Sequence, residues 1–333
     1  MRGFAAILTN LMDIQAVYSL VADDRQAVDA LIRQRLHSEV VLINQISHYI
    51  INSGGKRMRP VLVLLSARAF GYSGKDHLEL AAVIEFIHTA TLLHDDVVDA
   101  SELRRGRDTA NAVWGNEASV LVGDFLYSRA FQMMVSVQNM RVMEILAQAT
   151  NTIAEGEVKQ LLNVHNIETT EEVYLDVIRS KTAKLFESAA QLGAVLAGRP
   201  AEEEQALAAY GMYLGTAFQL IDDALDYSSS AEELGKNIGD DLAEGKPTLP
   251  LLYTLHNGNE VQRTLIRSVI EEGGKDRISE VIAAIESTGA IAYTSRSAQI
   301  EADKAIAQLA IIPDSPYKEA LIALAHFAVS RSH

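Results

Sequence analysis

LLHDDVVD at residues 92–99 and QLIDDALD at residues 219–226 carry the same aspartate spacing behind the same kind of apolar lead-in. On a helix Asp95 and Asp99 share one face, as do Asp222 and Asp226, because residues four apart lie one above the other. Each stretch lies late in a long segment of helical periodicity. Working outward, segments 23–52, 58–70, 77–102, 117–137, 140–164, 170–197, 201–229 and 247–257 all read as helices, with shorter ones to the C-terminus. The chain has only 6 prolines, and no alternating run of β-branched residues reads as a sheet. Gly198 and Pro200, ahead of Glu202, Glu203 and Glu204, mark a helix end and a new start with Pro200 at N1. Thr169 and Glu172 have capping-box spacing. No linker divides the chain, so it reads as all-α, with residues 1–22 an extension and lead-in and residues 23–333 a single domain.

Like charges four apart on a helix repel by roughly 0.2–0.5 kcal/mol per pair, so folding gains nothing from either cluster. Magnesium prefers such hard oxygen ligands and leaves room for waters and phosphate oxygens. A solvated acidic face is the plain alternative. It is weakened because both clusters follow apolar runs (90–93 and 218–221) and because the pattern occurs twice. Glu85 and His88 form an ExxH, a motif that di-iron bundles use in pairs. Of the 9 histidines, only His88 has Glu three residues earlier, so that reading lacks its second half.

The chain has 333 residues, 48% of them hydrophobic, and a formal net charge of −15. A sizeable core is affordable at that length. The acidic balance argues against nucleic acid, which requires a basic stripe, and against a polybasic dock on anionic lipid. Phosphorylated ligands remain open to an acidic protein when divalent metal stands between carboxylate and phosphate. The absence of cysteine excludes disulfides and thiolate metal sites. No apolar stretch is long enough for a transmembrane helix. Residues 1–11 lack a cleavage pattern and read as an upstream-start extension, and the expected location is cytoplasmic.

A diphosphate needs cations beyond its metals. Arg104, Arg105 and Gly106 follow the first cluster directly, where arginine suits bidentate phosphate contact. Lys56 and Arg59 lie in SGGKRMRP (53–60), a loop entering a helix, where backbone N–H groups favour anions. Lys181 and Thr182 sit on the 170–197 segment, and Lys236 and Lys246 in the loop after the second cluster. Each alone is more often a solvated surface group; the grouping beside the clusters carries the inference. His88 lies seven residues before Asp95, on the same helical face.

GGKRMRP (54–60), LLHDDVVDASELRRG (92–106), GDFLYSRAFQMM (123–134), SKTAKLFE (180–187), FQLIDDALDY (218–227) and GKNIGDDLAEGKPTLP (235–250) resemble the trans-prenyl diphosphate synthases, most of all the bacterial octaprenyl type. The likeness runs from about residue 23 to the C-terminus. It implies a helical bundle around a deep central cavity, usually a homodimer. It implies Asp95, Asp99, Asp222 and Asp226 as ligands of magnesium (Mg2+), with Arg104, Lys181, Thr182, Gln219 and Lys236 on the allylic diphosphate. Lys56, Arg59, His88 and Arg105 are implied for isopentenyl diphosphate. GKNIGDD is one residue longer than the pattern of some relatives, which leaves Asp240 and Asp241 both open as an outer metal-shell carboxylate.

The reaction implied is magnesium-assisted ionisation of an allylic diphosphate such as farnesyl diphosphate, condensation with isopentenyl diphosphate, and proton loss. The catalytic set is Asp95, Asp99, Arg104, Lys181 and Asp222. Short-chain members typically block the cavity with an aromatic residue four or five positions before the first aspartate; here Thr91 and Ala90 are small, so a long product is expected, octaprenyl diphosphate for a quinone side chain. Phe131, Met133 and Met134 are candidates for the cavity floor, ordinary core packing being the alternative for the methionines. A class I terpene cyclase usually lacks a second DDxxD and the GGK-x-x-R motif. A non-catalytic synthase subunit tends to lose one cluster. A helical scaffold leaves the grouped polar motifs unexplained.

Overall fold

Helix α5 (Asp76–Val98) is buried nearly all round from Leu80 to Ile87, and Thr89, Ala90, Leu93 and Asp96 are buried too. A helix without a polar face belongs inside other helices. The computed structural model describes residues 12–228 and 239–331. Around α5 it places α1 (Ile14–Leu20), α2 (Ala22–Arg35), α3 (Val41–Ile51) and α4 (Met58–Ala69) on the N-terminal side. A ribbon of β1 (Leu103–Arg104) and β2 (Arg107–Asp108) follows, then α6 (Ala110–Trp114), α7 (Asn116–Ser136), α8 (Met140–Asn163) and α9 (Glu171–Ile178). A π-helical turn (Arg179–Ala183) leads into α10 (Lys184–Leu196), and α11 (Ala201–Leu225) carries the second cluster. The rest comprises α12 (Asp240–Ala243), α13 (Leu249–Asn257), α14 (Glu260–Glu272), α15 (Ile278–Thr288), α16 (Ala290–Gln308) and α17 (Pro316–Ser330). The all-α expectation is borne out.

α5 packs along α4 and α7, α10 lies between α4 and α11, and α16 covers the far side of α11. Glycines set these close crossings. A Cβ at Gly193 would stand 2.4 Å from Ser66 Cβ, and one at Gly211 2.3 Å from the Phe186 carbonyl. Tyr210 is fully buried, and its hydroxyl donates to the Leu321 carbonyl at 2.7 Å, tying α11 to α17. Burying a side chain such as Phe86 contributes about 1.5–3 kcal/mol.

Four local departures from the sequence reading have physical causes. The 23–52 segment breaks between α2 and α3. There Ser38 N–H donates to Asn44 Oδ1 (2.9 Å) and Asn44 Nδ2 to the Ser38 carbonyl (2.7 Å), local bonds that compete with helix. The 77–102 segment ends at Val98 in a Schellman motif: Ser101 N–H donates to the Asp96 carbonyl at 2.9 Å and Ala100 N–H to that of Val97 at 3.3 Å, with Ala100 left-handed at φ 49°. The cap before α9 is Thr170, whose hydroxyl accepts from Val173 N–H at 3.3 Å; Thr169 instead donates to the Asn166 carbonyl. Pro200 is the N-cap of α11 rather than N1.

Candidate active site

Asp95 at the end of α5 and Asp222 near the end of α11 line one cavity of about 330 Å³, together with Arg59, His88, Arg104, Arg105, Lys181, Thr182 and Gln219. The two clusters therefore face each other. The aspartates have different partners. Asp95 Oδ2 lies 3.6 Å from Lys181 Nζ, Asp99 Oδ2 2.9 Å from Lys246 Nζ, and Asp222 Oδ1 2.8 Å from Arg331 Nη1. Asp96 is fully buried and receives Nε and Nη2 of Arg104 on Oδ1, at 2.7 and 2.6 Å. Its burial raises its carboxyl pKa, against the pull of Arg104. Asp96 thus aims Arg104 into the cavity. Asp226 is fully buried where α11 ends, and its backbone carbonyl accepts from Gly239 N–H at 3.4 Å.

Lys181 and Thr182 lie on the π-helical turn, a widened turn that often marks a functional site. Gly156 of α8 and Gly215 of α11 grip it from two sides: a Cβ at Gly156 would be 2.8 Å from Lys181 N, and one at Gly215 2.6 Å from Ala183 Cα. Lys181 Nζ donates to Glu157 at 2.7 Å. Burial pushes the Glu157 carboxyl up to about 7, Lys181 opposing and Asp95 adding to the rise. A smaller cavity of about 150 Å³ behind the turn joins Asp223, Asp241, Lys246 and Tyr174 to Lys181, Thr182 and Gln219. Asp223 is buried, and burial with the Asp241 charge pushes its carboxyl up to about 8. Lys246 also pairs with Glu244; burial pushes the Glu244 carboxyl up to about 7.

A cation-lined pocket of about 360 Å³ lies on the other side of Asp222, holding Lys56, Arg59, His88, Arg105 and Arg331. Its floor depends on backbone that only glycine adopts easily: Gly54 and Gly55 have φ 87° and 127°. A Cβ on Gly55 would stand 2.6 Å from Arg105 Nη1. The two-residue hairpin at Arg105 (φ 53°) and Gly106 (φ 72°) turns Arg105 toward this pocket, where it bonds the Gly54 carbonyl. Arg59 Nη1 lies 3.2 Å from His88 Nε2 and its guanidinium covers the Phe186 ring at 4.4 Å. Burial lowers Arg59 to about 10. Burial and the charges of Arg59, Arg105 and Arg104 hold His88 well below its ordinary value, so it is a neutral imidazole at neutral pH. Glu85 faces Arg57, 3.9 Å away. The ExxH therefore serves the cation pocket and not a metal pair.

Beyond Asp95 and Glu157 a cavity of about 800 Å³ runs between α5, α7 and α8, lined among others by Thr91, Tyr127, Phe131, Ile153 and Val158. Phe131, a candidate for the cavity floor, is among its lining residues. Met133 and Met134 are 1% and 0% exposed and belong to the packed core, and Ala90 is likewise buried behind Thr91.

Among the described residues no three carboxylate or imidazole side chains converge tightly enough to enclose a metal by themselves. The donor set nonetheless fits magnesium, which takes one or two carboxylates plus phosphate oxygens: Asp95, Asp99 and Asp222 are incompletely buried carboxylates, and Asp95 and Asp222 line a cation-rich cavity. Lys236 lies outside the described residues. Sequence reasoning missed Glu157, Tyr174 and Arg331. Gly156 inside a helical pattern is a signal for the first, whereas a lone arginine near the end of the chain gives none.

Comparisons with known proteins identify the family. The polyprenyl synthetase family model matches residues 40–287. Octaprenyl diphosphate synthase of Escherichia coli is 56% identical over 321 residues, 96% of this chain and 99% of that protein. An all-trans-nonaprenyl-diphosphate synthase of Rhodobacter capsulatus is 48% identical, covering 95% of this chain and 98% of the relative. Polyprenyl synthase from Caulobacter crescentus, solved with calcium and isoprenyl diphosphate, superposes with a TM-score of 0.93 at 45% identity, over 97% of this chain and 99% of that one. The resemblance seen in the motifs is borne out: the chain is a prenyltransferase and belongs to the polyprenyl synthetase family.

Proposed function

We propose that the chain is a long-chain trans-prenyl diphosphate synthase that adds isopentenyl diphosphate to an allylic diphosphate, with octaprenyl diphosphate as its product. One observation carries this: Asp95 and Asp222, from separate clusters, share a cation-lined cavity that adjoins a larger, mostly apolar one at Thr91, Asp95, Ile153 and Glu157. Asp95, Asp99 and Asp222, assisted by Asp226, would hold magnesium, which when bound neutralises diphosphate charge and eases its departure. Arg104, Lys181, Thr182 and Gln219, with Lys236 by resemblance, hold the allylic diphosphate. Lys56, Arg59, His88 and Arg105 hold that of isopentenyl diphosphate, which keeps the two reactants adjacent. The surrounding helices exclude water from the developing allylic cation. The isopentenyl double bond attacks as the carbon–oxygen bond breaks. The released diphosphate accepts the proton, since His88 is locked among arginines.

Thr91, a small side chain, lines both this tail cavity and the cation-lined one where they adjoin, which supports a long product. Val120, Leu121, Val158, Leu161 and Leu162 are exposed on α7 and α8. An apolar face of this kind supports the homodimer that the resemblance implies. Among the described residues no helix is long and apolar enough to cross a membrane; a cytoplasmic location is part of the proposal. The test is to incubate the purified chain with farnesyl diphosphate, labelled isopentenyl diphosphate and magnesium and to size the products. Absence of any extension rejects the proposal, and a cyclic product points to a cyclase.

A further inference from the structure

Tyr174 belongs to none of the sequence motifs, yet it is tied to the centre of the second cluster. It lies on α9, 5% exposed, and its hydroxyl donates to Asp223 Oδ2 at 2.5 Å. The other oxygen, Asp223 Oδ1, accepts from Gln219 Nε2 at 2.7 Å. Gln219 Oε1 in turn accepts from Thr182 Oγ1 at 3.1 Å. A glutamine amide has two unlike ends. With its NH2 group held by Asp223, its carbonyl oxygen faces Thr182 on the π-helical turn. Gln219 and Thr182 line the cavity of the two clusters, while Tyr174 lines the smaller space behind them.

We propose that Tyr174 is a positioning residue which, through Asp223, sets the end of the Gln219 amide that the allylic group meets. This rests on the synthase reading above. With Asp223 holding the NH2 end, the carbonyl end lies on the Thr182 side of the shared cavity. There its dipole would stabilise positive charge developing on the allylic group, and the reversed amide would oppose it. The middle aspartate of the second cluster then serves the hydrogen-bond relay, while Asp222 beside it faces the cavity.

The experiment uses the full chain as wild type, Tyr174→Phe, Gln219→Ala and the double variant, with magnesium, farnesyl diphosphate and isopentenyl diphosphate. Loss of one hydrogen bond of this kind predicts a kcat lower by about tenfold in Tyr174→Phe, with the KM for isopentenyl diphosphate and the melting temperature unchanged. In the Gln219→Ala background the same change has no further effect. Effects that multiply, or both KM values rising with a falling melting temperature, overturn the proposal. If Tyr174→Phe folds poorly, Asp223→Asn is read by the same non-additivity. A readout independent of turnover separates this proposal from the synthase reading. In 15N-glutamine-labelled protein, the Gln219 side-chain NH2 signal, identified by its loss in Gln219→Ala, is shifted and exchange-protected, and it moves in Tyr174→Phe. An unmoved signal rejects the relay even if the enzyme is active, and a moved signal supports it even if no chain extension is seen.

Discussion

Lys246 Nζ lies 2.9 Å from Asp99 Oδ2, across 147 positions of chain. This contact joins the loop after the second cluster to the last carboxylate of the first. Asp241, Asp99 and Glu244 all raise the Lys246 pKa against the effect of its burial, so the ammonium stays charged where these three carboxylates gather.

Lys246→Ala therefore removes a cation from the site while leaving the carboxylates. Activity is expected to fall by about tenfold to a hundredfold, in line with loss of a charge-assisted contact, while the magnesium concentration giving half-maximal rate does not rise. A magnesium titration of initial rates checks this; a strongly raised magnesium requirement would contradict it.

Arg331 caps Asp222 at 2.8 Å, donates to the Phe218 carbonyl at 2.9 Å and covers the Phe218 ring at 3.7 Å. It also faces the pocket of Lys56 and Arg105. Arg331→Ala is expected to raise the KM for isopentenyl diphosphate by roughly tenfold with a smaller change for the allylic substrate. Varying each substrate in turn separates the two, and equal rises would refute a pocket-specific role.

Glu157 gives a pH prediction. Its folded pKa, about 7, lies above the unfolded value because burial opposes its charge. The associated stability is fully present below the unfolded pKa near 4.5 and is lost as pH rises through 7. In ligand-free protein, Glu157→Gln should flatten the fall in unfolding free energy between pH 5 and pH 8. Denaturant melts at four pH values measure this, and an unchanged slope would argue against a buried, proton-binding Glu157.

Product length should respond to the cavity wall and not to the core. Phe131 lines the tail cavity, so Phe131→Ala is expected to lengthen the product and Thr91→Phe to shorten it. Met134 is fully buried in the core, so Met134→Ala is expected to destabilise by about 2–5 kcal/mol. Chromatographic sizing and a denaturant melt distinguish these outcomes; identical products from wild type and both cavity variants would remove Phe131 and Thr91 from the wall that sets length.

Periodicity was enough to show helices and their order, because it repeats locally at helical spacing. The aspartate clusters pointed to diphosphate only together with the arginines and lysines grouped beside them and the resemblance of six motifs. Arg104 and Lys181 were legible because each belongs to a group of cations set beside the clusters, whereas Gln219 came only from the resemblance of its motif. Tertiary structure alone decided which partner each aspartate meets. Asp96 looks like its neighbours in sequence, but the Schellman end of α5 and the hairpin of Arg104 turn it into a guanidinium anchor. Glu157, Tyr174 and Arg331 acquire meaning only through partners 24, 49 and 109 positions away (Lys181, Asp223 and Asp222). The π-helical turn was hidden too, since its widened geometry depends on Gly156 and Gly215 admitting it from two other helices. Helical spacing is a property of neighbours in the chain, whereas a site is made by side chains that only packing brings together.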